Sequence, residues 1–82
     1  MKIHVYDTHV YTTSGEHLHF DVLVNDGNVK RVKQYAEGYL ASLGIRGEHI
    51  QQSRCNFCHS EIANPEVQNN IASQGHSIIR LL

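Results

Sequence analysis

Apolar and polar residues alternate most regularly between His17 and Val24, where Leu18, Phe20, Val22 and Val24 fall on one side and His17, His19, Asp21 and Leu23 on the other. A two-residue period is that of a strand with one buried face, and Leu23 is the one apolar residue on the polar side. Upstream, Ile3, Val5, Tyr6, Thr8 and Val10 supply the β-branched and aromatic residues of a first strand, and Thr12-Thr13-Ser14-Gly15 supplies turn chemistry between the two. The pair predicts an antiparallel hairpin. Its register stays open, because a slip of one residue exchanges the faces of the first strand.

Asn25-Asp26-Gly27-Asn28 breaks the second strand and offers Asp26 or Asn28 as a helix N-cap. Val29, Val32, Ala36, Tyr39, Leu40 and Leu43 then recur at steps of three and four, predicting a helix that Gly44 ends. Gly38 inside that helix costs about 1 kcal/mol relative to Ala, which a close backbone contact would explain. A third, polar strand is expected around Glu48 to Arg54, followed by a loop from Cys55 to Ala63. Asn64 as N-cap and Pro65 at the first helical position open a second helix, with Val67 and Ile71 facing inward and Gly75 stopping it. Ser77 to Leu82 completes the chain as an apolar strand. The expected fold is therefore α+β and two-layered, in the order ββαβαβ: a mixed four-stranded sheet with both helices on one face, its parallel pairing made by a helical crossover.

The 82 residues suffice for one domain, 1–82. Seven Lys and Arg against eight Asp and Glu leave a formal charge of −1, which argues against a general nucleic-acid binder or a ligand of anionic membranes. The first residues lack the apolar run of a secretory signal, and no stretch approaches the roughly 18 apolar residues of a membrane span. The expectation is a cytoplasmic protein whose two cysteines are thiols, metal ligands or transient redox partners.

Seven histidines and two cysteines carry the candidate chemistry. Cys55-Asn56-Phe57-Cys58-His59 admits four readings: covalent haem attachment, zinc binding, dithiol redox chemistry, and two small thiols packing beneath a loop. In the zinc reading Cys55, Cys58 and His59 supply three ligands, and His17, His19, His49 or His76 supplies the fourth. The redox reading is weakened by distance, since the next helix begins about nine residues beyond Cys55 and its dipole gives little help to a thiolate. His17 and His19 share a strand face, continued by Asp21, and such a row either presents two imidazoles to one metal or is the solvated side of a hairpin. An Asp7–His pair across the hairpin would orient an imidazole for acid–base work. No Ser or Cys nucleophile can be set beside it, so no triad is assigned. Lys30, Arg31 and Lys33 crowd the start of the long helix, where free N–H groups would favour a bound anion, although no glycine-rich phosphate loop accompanies them.

Met1-Lys2-Ile3-His4-Val5-Tyr6-Asp7-Thr8, His19-Phe20-Asp21-Val22, Cys55-Asn56-Phe57-Cys58-His59-Ser60-Glu61, Pro65-Glu66-Val67 and Gly75 with Ile78-Ile79 together resemble the small bacterial domain-of-unknown-function family numbered two thousand twenty-four. The resemblance spans essentially the whole chain. It implies a compact α+β protein of the bacterial cytoplasm and no particular activity. His76 stands where the family pattern leads one to expect an aromatic residue such as Tyr, which argues against His76 as an essential ligand. The functional expectation is a non-enzymatic binding module for a protein or small ligand, acting through the Cys55–Ser60 segment and the polar hairpin face, with a zinc protein as the alternative. A polar strand at a sheet edge leaves homodimerisation open.

Overall fold

The computed structural model describes all 82 residues. Its strands are β1 (Lys2–Thr12), β2 (His17–Val24), β3 (Ile50–Ile62) and β4 (Ser77–Arg80), and its helices α1 (Val32–Ser42) and α2 (Pro65–Gln74). Short 3-10 turns at Asp26–Arg31 and Gly47–His49 precede α1 and β3. The fold is α+β with the expected order of elements, in one four-stranded sheet ordered β3-β1-β2-β4.

The hairpin register is set by a tight turn. Gly15 takes the left-handed conformation at φ 90°, its N–H donates to the Thr12 carbonyl at 3.1 Å, and the Thr12 hydroxyl accepts from the Glu16 N–H at 2.9 Å. The resulting pairs run from Tyr11 opposite His17, through His9 opposite His19 and Asp7 opposite Asp21, to His4 opposite Val24. Residues directly opposite share a face. One face therefore carries Tyr6, Thr8 and Val10 with Leu18, Phe20 and Val22; the other carries Ile3, Val5, Asp7, His9 and Tyr11 with His17, His19, Asp21 and Leu23.

Each face has its own core. Val32, Ala36 and Leu40 of α1 pack with Val10, Leu18, Phe20, Val22 and Val24, while Val67 and Ile71 of α2 pack with Ile3, Val5, Leu23 and Ala63. The helices thus lie on opposite faces of the sheet, not on the same one as expected. The cause is the out-of-phase trio Ile3, Val5 and Leu23, which is apolar on the side that α1 does not cover. Sheet parity is also corrected: every hydrogen-bonded pair of strands is antiparallel. The crossover through α1 does bring β3 into the same direction as β2, but β1 lies between them, so no parallel ladder forms.

The region expected to hold a short strand and a loop is one strand of thirteen residues. Two bulges hide it from a period-two reading, because Gln51 and Cys58 are each passed over in the pairing with β1 and shift the phase by one residue. The start of the long helix is likewise a 3-10 turn, with no side-chain cap on α1. Within that turn the Asp26 carboxylate pairs with the His4 imidazole, which holds Asp26 below its usual pKa. By contrast α2 follows its sequence signals: the Asn64 side chain accepts from the Val67 N–H at 2.9 Å, and Gly75 closes the helix at φ 87°. A side chain at Gly75 would also collide with the Tyr35 hydroxyl. No helix is long and apolar enough to cross a membrane.

Gly38 lies on the exposed side of α1, and beyond its chain neighbours and the backbone of its own helix nothing comes within 4 Å of where its Cβ would stand. No close contact accounts for it. Gly38→Ala is accordingly expected to stabilise the protein by about 0.5–1 kcal/mol in urea denaturation, through reduced backbone entropy of the unfolded chain; a neutral or destabilising result would contradict the open space.

Candidate metal centre

The second face of the sheet is apolar only where α2 covers it. Towards the hairpin turn the same alternation that set Ile3 and Val5 inward presents Asp7, His9, His17 and His19 to solvent, on neighbouring strands. Asp7 stands between two imidazoles. His9 Nε2 lies 3.0 Å from Asp7 Oδ2, and His19 Nε2 hydrogen-bonds Asp7 Oδ1. The His9 and His19 rings stack with centroids 4.0 Å apart and 13° between planes. His17 extends the row, its Nε2 3.0 Å from His9 Nδ1, and Tyr11 stacks on His17 at 4.5 Å. The backbone of His19 is pinned from the far side: its N–H donates to the Leu82 carbonyl, and its carbonyl accepts from the N–H groups of Leu81 and Leu82 at 2.8 and 2.9 Å.

One donor atom each from Asp7, His9 and His19 lie within 4.8 Å of one another, the one such group of three or more His, Cys, Asp or Glu residues in the chain. All three are half-buried, so the cluster is walled by the sheet yet open above. The hydrogen bond from His19, supported by the nearby charge of both imidazoles, holds the Asp7 carboxyl below its usual range despite partial burial. Asp21, directly opposite Asp7, shifts the other way, because burial and the Asp7 charge disfavour its ionised form. Two carboxylates face to face on a sheet repel, and imidazolium or a cation relieves them.

This geometry sits in a recognisable chain. The model of the domain-of-unknown-function family DUF2024 matches residues 1–81. The chain belongs to that family. Among solved structures, the NMR structure of protein NE1680 from Nitrosomonas europaea is similar at 37% identity and a TM-score of 0.79, covering 99% of this chain and 95% of that one. No curated protein matches.

In this DUF2024 chain the residues singled out from sequence fall in separate places. Cys55 is half-buried on the α1 side of β3, where its sulfur accepts from the Thr8 hydroxyl at 3.3 Å. Cys58 is exposed at the bulge with its sulfur 3.2 Å from His59 Nδ1, and His59 Nε2 lies 3.4 Å from Glu61 Oε2. Both thiols are free, and Cys55 and His59 occupy opposite faces of the strand, so no third donor converges on them. His49 accepts from the Arg46 N–H at 3.2 Å, and His76 stacks on Tyr35 at 4.1 Å. Lys30 and Arg31 end the 3-10 turn and Lys33 lies in the first turn of α1; Lys30 and Lys33, with Arg46, border a cleft of about 1120 Å³ between α1 and β3, which Arg31 does not line.

His19 and His17 therefore join a cluster, with Asp7 and His9 as its further members. The Asp7–His pair expected across the hairpin is Asp7 with His19, and the signal for His9 was also present: Asp7-Thr8-His9 repeats, on the first strand, the one-residue spacing of His17-Leu18-His19. Only the register puts His9 opposite His19, with Asp7 and His17 on the diagonals of that pair.

Because Asp21 has a raised pKa, its ionised form destabilises the folded state above that pKa, and the penalty disappears as pH falls below the unfolded value of 3.8. In chelator-treated protein, Asp21→Asn is expected to raise the melting temperature at pH 7, with the gain fading towards pH 3. A lower melting temperature at pH 7 would show that Asp21 has a stabilising partner instead.

Proposed function

We propose that this protein is a metal-binding module that holds one divalent first-row transition ion on the open face of its sheet, through a carboxylate oxygen of Asp7 and the Nε2 atoms of His9 and His19. The supporting observation is the convergence of these three donors, from two strands joined by a short turn, within 4.8 Å. Two imidazoles and one carboxylate suit zinc, cobalt, nickel or ferrous iron, while calcium and magnesium prefer all-oxygen shells. With no metal, the Nε2–H groups of His9 and His19 donate to Asp7. Coordination through Nε2 moves the proton of each neutral ring to Nδ1, and for His9 that N–H faces His17 Nε2 at 3.0 Å. His17 then acts as the outer acceptor that fixes the tautomer and orientation of His9. Three protein ligands leave a position open to solvent, into which a small ligand or a partner's side chain fits.

The reading stops at binding, because no nucleophile stands beside the cluster and Cys55 and Cys58 lie elsewhere. A cytoplasmic setting accords with it, since both cysteines are free thiols.

Tag-free protein, stripped with chelator and titrated with Zn²⁺, is expected to take up one ion by native mass spectrometry and calorimetry. His19→Ala should abolish uptake, His17→Ala should weaken it about tenfold or more through the lost outer acceptor, and Cys58→Ser should leave it unchanged. Undiminished affinity in His9→Ala and His19→Ala, or loss in Cys58→Ser, would overturn the assignment.

A further inference from the structure

Strand β3 ends the sheet, pairs only with β1, and exposes eleven of its thirteen residues. Its outer backbone groups are a template for another strand. Edges of this length usually carry lysine or proline as protection, and β3 has neither. It instead exposes Phe57 at 56% and Ile62 at 75%. Its only charged residues besides histidine are Arg54 and Glu61, and Arg54 has no carboxylate within 4.0 Å in its own chain.

We propose that β3 pairs antiparallel with β3 of a second copy about a two-fold axis through Phe57, joining two four-stranded sheets into one of eight strands. A two-fold pairing of this kind must place side chains of the same face opposite one another. In an unbroken strand Arg54 and Glu61, seven residues apart, would point to opposite faces. The bulge at Cys58 cancels that difference: Arg54 lies opposite His9 and Glu61 opposite Ile3, both on the face that carries the metal cluster. With Cys58 passed over, Phe57 meets the second copy's Phe57, Asn56 meets its His59, Cys55 meets its Ser60, and Arg54 meets its Glu61. The last pairing occurs twice by symmetry. Each unpartnered arginine thereby gains a carboxylate, and two exposed phenylalanines cover each other. The axis is normal to the sheet, so both Asp7–His9–His19 clusters end on one continuous face.

Sedimentation equilibrium of the full chain, from micromolar to millimolar, tests the pairing. The expected mass at the upper end is twice the 9.3 kDa of one chain. Arg54→Glu and Glu61→Arg should each weaken association roughly tenfold or more, by setting like charges opposite twice, and the double variant should restore it. Restoration separates a pairing effect from damage to the fold, and circular dichroism of Arg54→Glu confirms native strand content. A monomer at millimolar wild-type concentration, association unaffected by Arg54→Glu, or failure of the double variant to recover would overturn the proposal; the first of these would leave the edge to an extended peptide of another protein.

Discussion

The pairing register of β1 and β2 is the constraint on which the rest depends. With Val5 opposite Leu23 and His9 opposite His19, the two strands divide their side chains so that one face is mainly apolar, from Tyr6 to Val10 and Leu18 to Val24, and the other changes character half-way along. The apolar face takes α1. The apolar end of the second face takes α2, and its polar end is left uncovered. A slip of one residue would put Asp7 and His9 against the apolar side of α1, Val32, Ala36 and Leu40, a burial of charge costing on the order of several kcal/mol. The turn at Gly15 and the second core at Ile3, Val5 and Leu23 both oppose that slip.

Much of this is written in local sequence. The alternation of β2 and the cap and stop of α2 express interactions between residues no more than a few positions apart, so they are readable without the fold. Leu23 is more instructive: as the apolar misfit in an otherwise regular row, it marks the place where a second helix must cover the sheet. What local pattern does not carry is long-range. β3 pairs with β1 across some fifty residues, is exposed on nearly its whole length, and breaks phase at Gln51 and Cys58, so neither apolar alternation nor its period survives. The order β3-β1-β2-β4, and with it the purely antiparallel sheet, follows from where β3 docks.

The candidate chemistry divides in the same way. Cys55-Asn56-Phe57-Cys58-His59 draws attention as a motif, yet an extended strand with a bulge turns its donors away from one another. Asp7-Thr8-His9 and His17-Leu18-His19 are ordinary alternating spacings on their own, and the hairpin brings them together at one point, His9 opposite His19. The site is thus a product of register. Its electrostatics agree: Asp7 is stabilised as a carboxylate by the imidazoles on either side, while burial first and the Asp7 charge second push the carboxyl of Asp21 up. Under the proposed reading, a cation held by Asp7, His9 and His19 would offset the charge of the two facing carboxylates.

The most direct test is a proton–nitrogen correlation spectrum of the imidazole rings, recorded before and after one equivalent of Zn²⁺. The account predicts that the Nε2 resonances of His9 and His19 move to metal-bound values, that His17 responds through its contact with His9, and that His4, His49, His59 and His76 keep their positions. A shift centred on His59, or Nε2 resonances of His9 and His19 that stay in place while zinc is bound, would contradict it.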